Sequence, residues 1–154
     1  MVIEKKHHLP QDAYRGLTAI AFTMCVQNRN PVFQDGNLFN ACRDILVETA
    51  ANQNAEILIY LFMPDHLHFV AKGKNKDSDL AELIVKFKQK SGFRLAGQGL
   101  KWQKNYYDHI LRTEEEIVKH IRYILENPVR KGLILDWNDY LFKGSTCYDL
   151  KTLF

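Results

Sequence analysis

The alternation of hydrophobic and polar positions in the first half of the chain predicts strands separated by helices. Gly16 to Val26, GLTAIAFTMCV, is rich in β-favouring residues and is predicted to be the first strand. Leu38 to Ala51 carries its apolar residues at helical spacing. Ala55 to Phe62, AEILIYLF, is typical of a central strand buried on both faces. After a turn at 63–65, His66 to Gly73, HLHFVAKG, is predicted to be an antiparallel partner strand.

The second half of the chain contains two further helical patterns. Asp79 to Ser91 is predicted to be a helix that begins at an acidic cap. Lys101 to Arg112, KWQKNYYDHILR, is aromatic, basic and strand-like. Thr113 with Glu116 three residues later has the pattern of a capping box and predicts the start of a helix. The Asn-Pro pair that follows Glu126 predicts its end.

This order of elements predicts the fold class. Short strands joined by tight turns favour an α+β fold of ferredoxin-like size, with a mostly antiparallel central sheet and the helices on one face. The sequence has no internal repeat, low-complexity tract or linker, so a single domain over residues 1–154 is expected.

Composition narrows the function classes only slightly. The 154 residues are 46% hydrophobic and 25% charged, and the net charge of +3 with a pI near 8.7 permits nucleic-acid binding without requiring it. An odd number of cysteines without a CxxC pair disfavours a disulfide framework or a zinc site. The charged N-terminus lacks a signal-peptide pattern, and no apolar run approaches the ~20 residues that span a membrane. A cytoplasmic, nucleoid-associated protein is therefore expected.

His66 and His68 are the first candidate functional residues. Residues two apart on a strand share a face, so both imidazoles should point one way while Leu67 and Phe69 point into the core. Such a pair can present two nitrogens to one metal ion. The alternative is a pair of ordinary hydrogen-bonded histidines on a half-exposed sheet face.

Tyr123 is the second candidate. At ~100° per residue, the last helix has one apolar stripe, formed by Ile117, Val118, Ile121, Ile124 and Leu125. Tyr123 falls almost opposite that stripe, beside Lys119, Asn127 and Arg130. A phenol among cations suits a bound phosphate, although a solvated helix surface would have the same pattern.

Together these motifs resemble a known family. The run MPDHLHFV, followed after a basic helix by KWQKNYYDHILRTEEE and RYILENPVRKGL, resembles the single-tyrosine HUH transposases of the IS200/IS605 type, most strongly their REP-associated branch. The resemblance covers about Leu9 to Leu133. It implies the HUH fold, with His66 and His68 as metal ligands, Tyr123 as the catalytic tyrosine on a late helix, and Asn127 as the third ligand where many relatives have glutamine.

The resemblance also implies a reaction and its partners. Tyr123 would attack a backbone phosphate of single-stranded DNA containing a hairpin of the REP type, giving a 5′-phosphotyrosine and a free 3′-OH, with Mg²⁺ or Mn²⁺ as the cofactor. A monomer and a homodimer are both compatible with it. From charge and aromatic interleaving, the candidate DNA-binding residues are Lys86, Lys90, Arg94, Lys101, Lys104, Lys119 and Arg130. Trp102, in the same segment, is expected in the core.

Two other functions remain open at this stage. A catalytically inactive hairpin-binding module of the same fold would bind DNA without forming a covalent adduct. A metal-dependent phosphoesterase would use water as nucleophile, with Tyr123 only positioning the substrate.

Overall fold

The computed structural model describes residues 8–154, and its centre is a five-stranded antiparallel sheet. The charged N-terminal segment 1–7, for which the sequence predicts no signal peptide, lies outside the described residues. The strand order is β4-β1-β3-β2-β5, and the strands are β1 (Ala19–Cys25), β2 (Ala55–Met63), β3 (His66–Gly73), β4 (Tyr107–Leu111) and β5 (Lys143–Gly144). All strand pairings are antiparallel, and the α+β fold class is confirmed.

Helices cover both faces of this sheet. They are α1 (Gly36–Asn52), α2 (Leu80–Ala96), α3 (Glu114–Arg130) and the single turn α4 (Leu150–Leu153). Leu67 and Phe69 of β3 pack with residues of α1 and α2, whereas Val70 packs with Ile121 and Ile124 of α3. The prediction that the helices lie on one face is therefore wrong. Central strands that are apolar on both sides need a covering layer on each side.

Strand and helix boundaries follow the sequence pattern with local differences. The first strand is shorter than predicted, and α2 continues to Ala96 instead of ending at Ser91. In the segment 101–112 only Tyr107–Leu111 forms a strand, and Trp102 makes a single bridge to Val26. Trp102 is buried, as predicted, and its Nε1 donates to Ser91 Oγ at 2.9 Å. No helix within residues 8–154 has the length and apolar character needed to cross a bilayer.

Helix α3 begins as predicted but ends later. The Thr113 side chain accepts a hydrogen bond from the backbone N–H of Glu116 at 3.1 Å, which confirms the cap. The helix passes through Pro128 and ends at Arg130. Pro128 has no N–H to donate to the helix. It lies in the last turn, with its ring buried, so only a short stretch of helix follows the missing hydrogen bond. The apolar stripe is also narrower than predicted, because Val118 is exposed.

Candidate active site

His66 and His68 lie at the start of β3, at the end of the sheet where β1, β2 and β3 meet. Leu67 and Phe69 are completely buried in the core beneath α1 and α2, and the two histidines point to the α3 side. The predicted alternation is therefore confirmed. His66 is buried, with 5% of its surface accessible, whereas His68 is only partly buried.

The ring nitrogens of the two histidines converge. His66 Nε2 and His68 Nε2 are 3.1 Å apart, and the ring planes meet at 88°. On the other side of the rings, His66 Nδ1 lies 2.6 Å from Asp65 Oδ1, and His68 Nδ1 lies 2.9 Å from Thr23 Oγ1. If each Nδ1–H donates to its oxygen, both Nε2 atoms keep a lone pair directed into one shared space.

Arg29 anchors this arrangement from the loop after β1. Its Nε donates to Asp65 Oδ2 at 2.9 Å, and its Nη2 lies 3.4 Å from His66 Nδ1. Burial by itself would raise the pKa of Asp65, but the hydrogen bonds with Arg29 and His66 outweigh it and the pKa is lowered. Asp65 is thus an ionised carboxylate that orients His66. Arg29 and Asn28 both have positive φ, of 55° and 63°, which is uncommon for residues other than glycine. This loop conformation places the Arg29 guanidinium beside Asp65.

The two histidines are held neutral. Burial lowers the pKa of His66, with positive charge from Arg29 and Lys131 adding to the effect against the raising influence of Asp65. Burial lowers the pKa of His68 well below its ordinary value, and the positive charges of Arg130 and Arg29 add to the effect. A neutral imidazole is the form that binds a metal ion.

The donor set fits a divalent metal ion. Two ligands held about 2.1 Å from one ion lie about 3.0–3.4 Å apart, and the Nε2 separation of 3.1 Å falls in this range. In the described part of the chain, no group of three His, Cys, Asp or Glu side chains is arranged around a common point. The role of Asn127 as a third ligand stays a prediction.

Asn127 differs from expectation in its burial. The sequence pattern placed it on the outer face with Tyr123, but the structure leaves it only 5% exposed. Its Oδ1 accepts a hydrogen bond from Arg130 at 3.4 Å. Because the helix continues past Pro128, Asn127 keeps its helical position one turn after Tyr123.

Tyr123 is exposed, as predicted, with 56% of its surface accessible. The Arg130 guanidinium lies 3.9 Å from the centroid of its ring, and Arg130 Nη2 donates to the Tyr123 carbonyl oxygen at 2.6 Å. The ring of His120 lies 6.1 Å away at a tilt of 30°. Burial lowers the pKa of His120.

The sequence pattern did not predict four residues of this site. Two had a local signal: Asp65 adjoins His66, and His120 precedes Tyr123 by three positions, which places His120 and Tyr123 on neighbouring parts of one helix surface. Thr23 and Arg29 had none, because Thr23 reaches His68 through strand pairing and the position of Arg29 depends on a loop conformation.

The candidate DNA-binding residues fall into three places. Lys119 and Arg130 are exposed on α3 with Tyr123. Lys101 and Lys104 are exposed in the loop beside the end of β1, where Gln27 N–H donates to the Lys101 carbonyl oxygen at 2.8 Å. The remaining three are exposed on α2, on the opposite side of the sheet from the histidine pair: Lys86, Lys90 and Arg94.

Known proteins resemble this chain over most of its length. A sequence profile of the family described as "Transposase IS200 like" matches residues 17–127. A REP-associated tyrosine transposase of Escherichia coli K12 is 24% identical over 79% of this chain and 72% of its own length. A Haemophilus influenzae protein provisionally given the same description is 23% identical over 75% of this chain and 74% of its own length. A solved structure of a REP-associated tyrosine transposase bound to a REP hairpin shares the fold, with a TM-score of 0.74 and 20% identity over 93% of this chain and 82% of that one.

Proposed function

The chain belongs to the IS200-like transposase family, and on that premise we propose that it cuts and rejoins hairpin-containing single-stranded DNA through a covalent bond to Tyr123. One observation carries the proposal. An exposed tyrosine lies on the helix that covers a pair of neutral histidines whose Nε2 atoms converge at 3.1 Å. The curated relatives support the reaction class, and the hairpin in the solved relative supports the kind of DNA.

The covalent step is a phosphoryl transfer. Tyr123 Oη attacks the phosphorus, the bond from oxygen to phosphorus forms, and the bond from phosphorus to O3′ breaks. The phenolic proton is lost to solvent and the departing O3′ takes up a proton. The products are a 5′-phosphotyrosine and a 3′-OH, so a later attack by a 3′-OH can reseal a strand without ATP.

A divalent metal ion, Mg²⁺ or Mn²⁺, is part of the proposal. His66 Nε2, His68 Nε2 and the Asn127 amide oxygen would hold it. When bound, it supplies positive charge to a non-bridging phosphate oxygen. Mn²⁺ suits a mixed imidazole and oxygen donor set better than Mg²⁺ does.

The protein's own cations attract and orient the phosphate. Arg130 lies over the Tyr123 ring, and Lys119 is one helical turn before Tyr123 on the same surface. A guanidinium next to the nucleophile can donate two hydrogen bonds to the oxygens of one phosphate group. Lys101 and Lys104 lie on the loop that contacts the end of β1, and we propose that they contact the flanking backbone. The α2 residues Lys86, Lys90 and Arg94 would meet DNA only where it passes the other face of the sheet.

The test is denaturing electrophoresis of the protein with 5′- or 3′-labelled hairpin oligonucleotides and Mn²⁺. Wild type should give a covalent adduct with the 5′-phosphate side of the cut, and Tyr123→Phe should give none while still binding. Tyr148→Phe, which alters another exposed tyrosine, should behave as wild type. Cutting that persists in Tyr123→Phe would instead indicate a water-using phosphoesterase. Tight binding without any adduct would indicate an inactive hairpin-binding module.

A further inference from the structure

A groove beside Tyr123 is formed in part by residues that have no role in the chemistry described above. It has a volume of about 390 Å³ and runs between the edge strand β4 and helix α3. Its walls are formed by His109, Leu111, Glu116, Lys119, His120 and Tyr123. Ligand-binding clefts begin at about 300 Å³, so the space is large enough for one nucleotide unit.

Three aromatic rings follow one another along this groove. The rings of His109 and His120 have centroids 6.4 Å apart and are tilted by 35°. Those of His120 and Tyr123 are 6.1 Å apart and tilted by 30°. Successive tilted rings that end at the nucleophile offer flat faces and edges on which a planar group can stack. Leu111 adds an apolar wall, since its side chain is packed into the core between β4 and α3.

Charge is distributed unevenly along the groove. Lys119 precedes Tyr123 by one helical turn, so the positive charge and the tyrosine lie on the same surface of α3 and both line the groove. Within residues 8–154, Lys119 has no ion-pair partner at salt-bridge distance. Glu116 lies one turn further back, and its Oε2 is held in place by the Arg112 backbone N–H at 2.6 Å. A fixed carboxylate repels a phosphate, so the backbone of a bound nucleotide belongs at the Lys119 end.

We propose that this groove is a nucleobase subsite, which takes the base of the nucleotide next to the phosphate that Tyr123 attacks. The inference rests on the proposed function, because it names the part of the DNA that the same site holds. The base stacks against His109 and His120, and its phosphate lies between Lys119 and Tyr123. Stacking on aromatic side chains is tolerant of sequence, so the subsite anchors any base and sets the distance from the base to the nucleophile.

The proposal can be tested by binding alone, without cutting. Full-length Tyr123→Phe protein, which keeps the ring, is titrated with hairpin oligonucleotides in which each flanking nucleotide in turn is replaced by an abasic residue. One position, or two adjacent ones, should weaken binding about five- to tenfold, in line with the usual contribution of a stacked base. His109→Ala added to this protein should weaken binding of the intact oligonucleotide by a similar factor. It should also remove the abasic penalty at that position, because the two changes delete the same contact.

Two further variants make the result specific. His109→Phe keeps a flat ring and should restore both the affinity and the abasic penalty, which a hydrogen-bonding or purely structural role for His109 would not do. Lys76→Ala, an exposed lysine in the turn after β3, is the matched surface control and should leave the penalty unchanged. His109 is exposed on an edge strand, so its replacement is expected to leave the protein folded. His120→Ala provides an independent second test in any preparation that remains folded.

The outcomes separate this inference from the proposed function. An abasic penalty that is the same with and without His109→Ala, or no penalty at any flanking position, would overturn the subsite even if wild type forms the Tyr123 adduct. An abasic penalty that depends on His109, together with no adduct from the wild-type protein, would keep the subsite and overturn the cutting activity. Failure to bind any hairpin oligonucleotide would overturn both.

Discussion

The guanidinium of Arg130 lies 3.9 Å from the centroid of the Tyr123 ring and donates to the carbonyl oxygen of the same tyrosine. It also reaches Asn127 Oδ1 at 3.4 Å. One side chain thus contacts the proposed nucleophile and the proposed amide ligand. Tyr123 is exposed, yet its ring is held on one side by this guanidinium, whose Nη1 also lies 3.9 Å from Glu126 Oε2.

Replacing Arg130 should therefore impair chemistry more than folding. Arg130→Ala is expected to slow formation of the Tyr123 adduct about 100- to 1,000-fold in single-turnover assays, as for loss of one donor that stabilises charge at a reacting group. The rate of adduct formation by Arg130→Lys should lie between those of the wild type and Arg130→Ala, because an ammonium keeps the charge but not the flat face of the guanidinium. The control is Arg122→Ala on the same helix, whose guanidinium lies over Phe154 instead. Equal rates for the Arg130→Ala and Arg122→Ala proteins would contradict the role given to Arg130.

Thr23 should act on metal binding through His68. Thr23→Val keeps the shape of the side chain and removes the hydroxyl that lies 2.9 Å from His68 Nδ1. The Mn²⁺ concentration for half-maximal adduct formation should rise about tenfold, the lower end of typical effects for groups that orient a ligand. The maximal rate at saturating Mn²⁺ should change little, because the nucleophile and its cations are intact.

Thr49→Val is the matched control for that experiment. Thr49 is a buried threonine in α1 whose hydroxyl donates to the Ile45 carbonyl oxygen, on the other side of the sheet. It should leave the Mn²⁺ dependence unchanged. If Thr23→Val lowers the maximal rate without altering the Mn²⁺ dependence, then Thr23 does not act through a metal ligand.

The buried histidines should make stability depend on pH. Burial lowers the pKa of His66 and His120, and lowers that of His68 well below 6.5. Below about pH 6.5 the unfolded chain therefore binds more protons than the folded one, and the free energy of unfolding falls as the pH falls. Asp65 does not contribute in this range, since its pKa is lowered from 3.8 and it stays ionised.

Urea unfolding in EDTA between pH 7.5 and 5.0 measures this dependence. The wild-type midpoint should be constant above about pH 6.5 and fall steadily below it. His68→Gln removes the group with the most strongly lowered pKa and should give a shallower slope. Parallel slopes for the two proteins would show that His68 is not held neutral by the fold.

Tyr140 should stabilise the C-terminal part of the chain. Its hydroxyl donates to the Phe62 carbonyl oxygen at 2.7 Å in the core between the sheet and α3, and burial raises the pKa of this phenol to about 12. Tyr140→Phe should lower the free energy of unfolding by about 1–2 kcal/mol, because a buried carbonyl loses its partner. Tyr148→Phe, at an exposed tyrosine, should change it by less than about 0.5 kcal/mol. Urea denaturation of both variants at pH 7 checks the difference.

Several features of this protein were determined by the sequence alone. The alternation around Leu67 and Phe69 places His66 and His68 on one face, and the Thr113 cap with its apolar stripe turns Tyr123 outward. These are properties of a single element, since the period of a strand or helix decides which of its sides is buried. The family resemblance followed from the same ordered motifs, and it is confirmed.

Only the tertiary structure decided what lies opposite those faces. Thr23 reaches His68 because β1 pairs with β3 in a particular register, and Arg29 reaches Asp65 through a loop with positive φ. The α2 lysines lie behind the sheet, and α3 covers the histidines, because the strands are apolar on both sides and take a helical layer on each. Asn127 is buried since α3 continues through Pro128 against that layer. Periodicity within an element carries no information about which other element packs on it, and the contacts that hold these histidines neutral and close together arise from that packing.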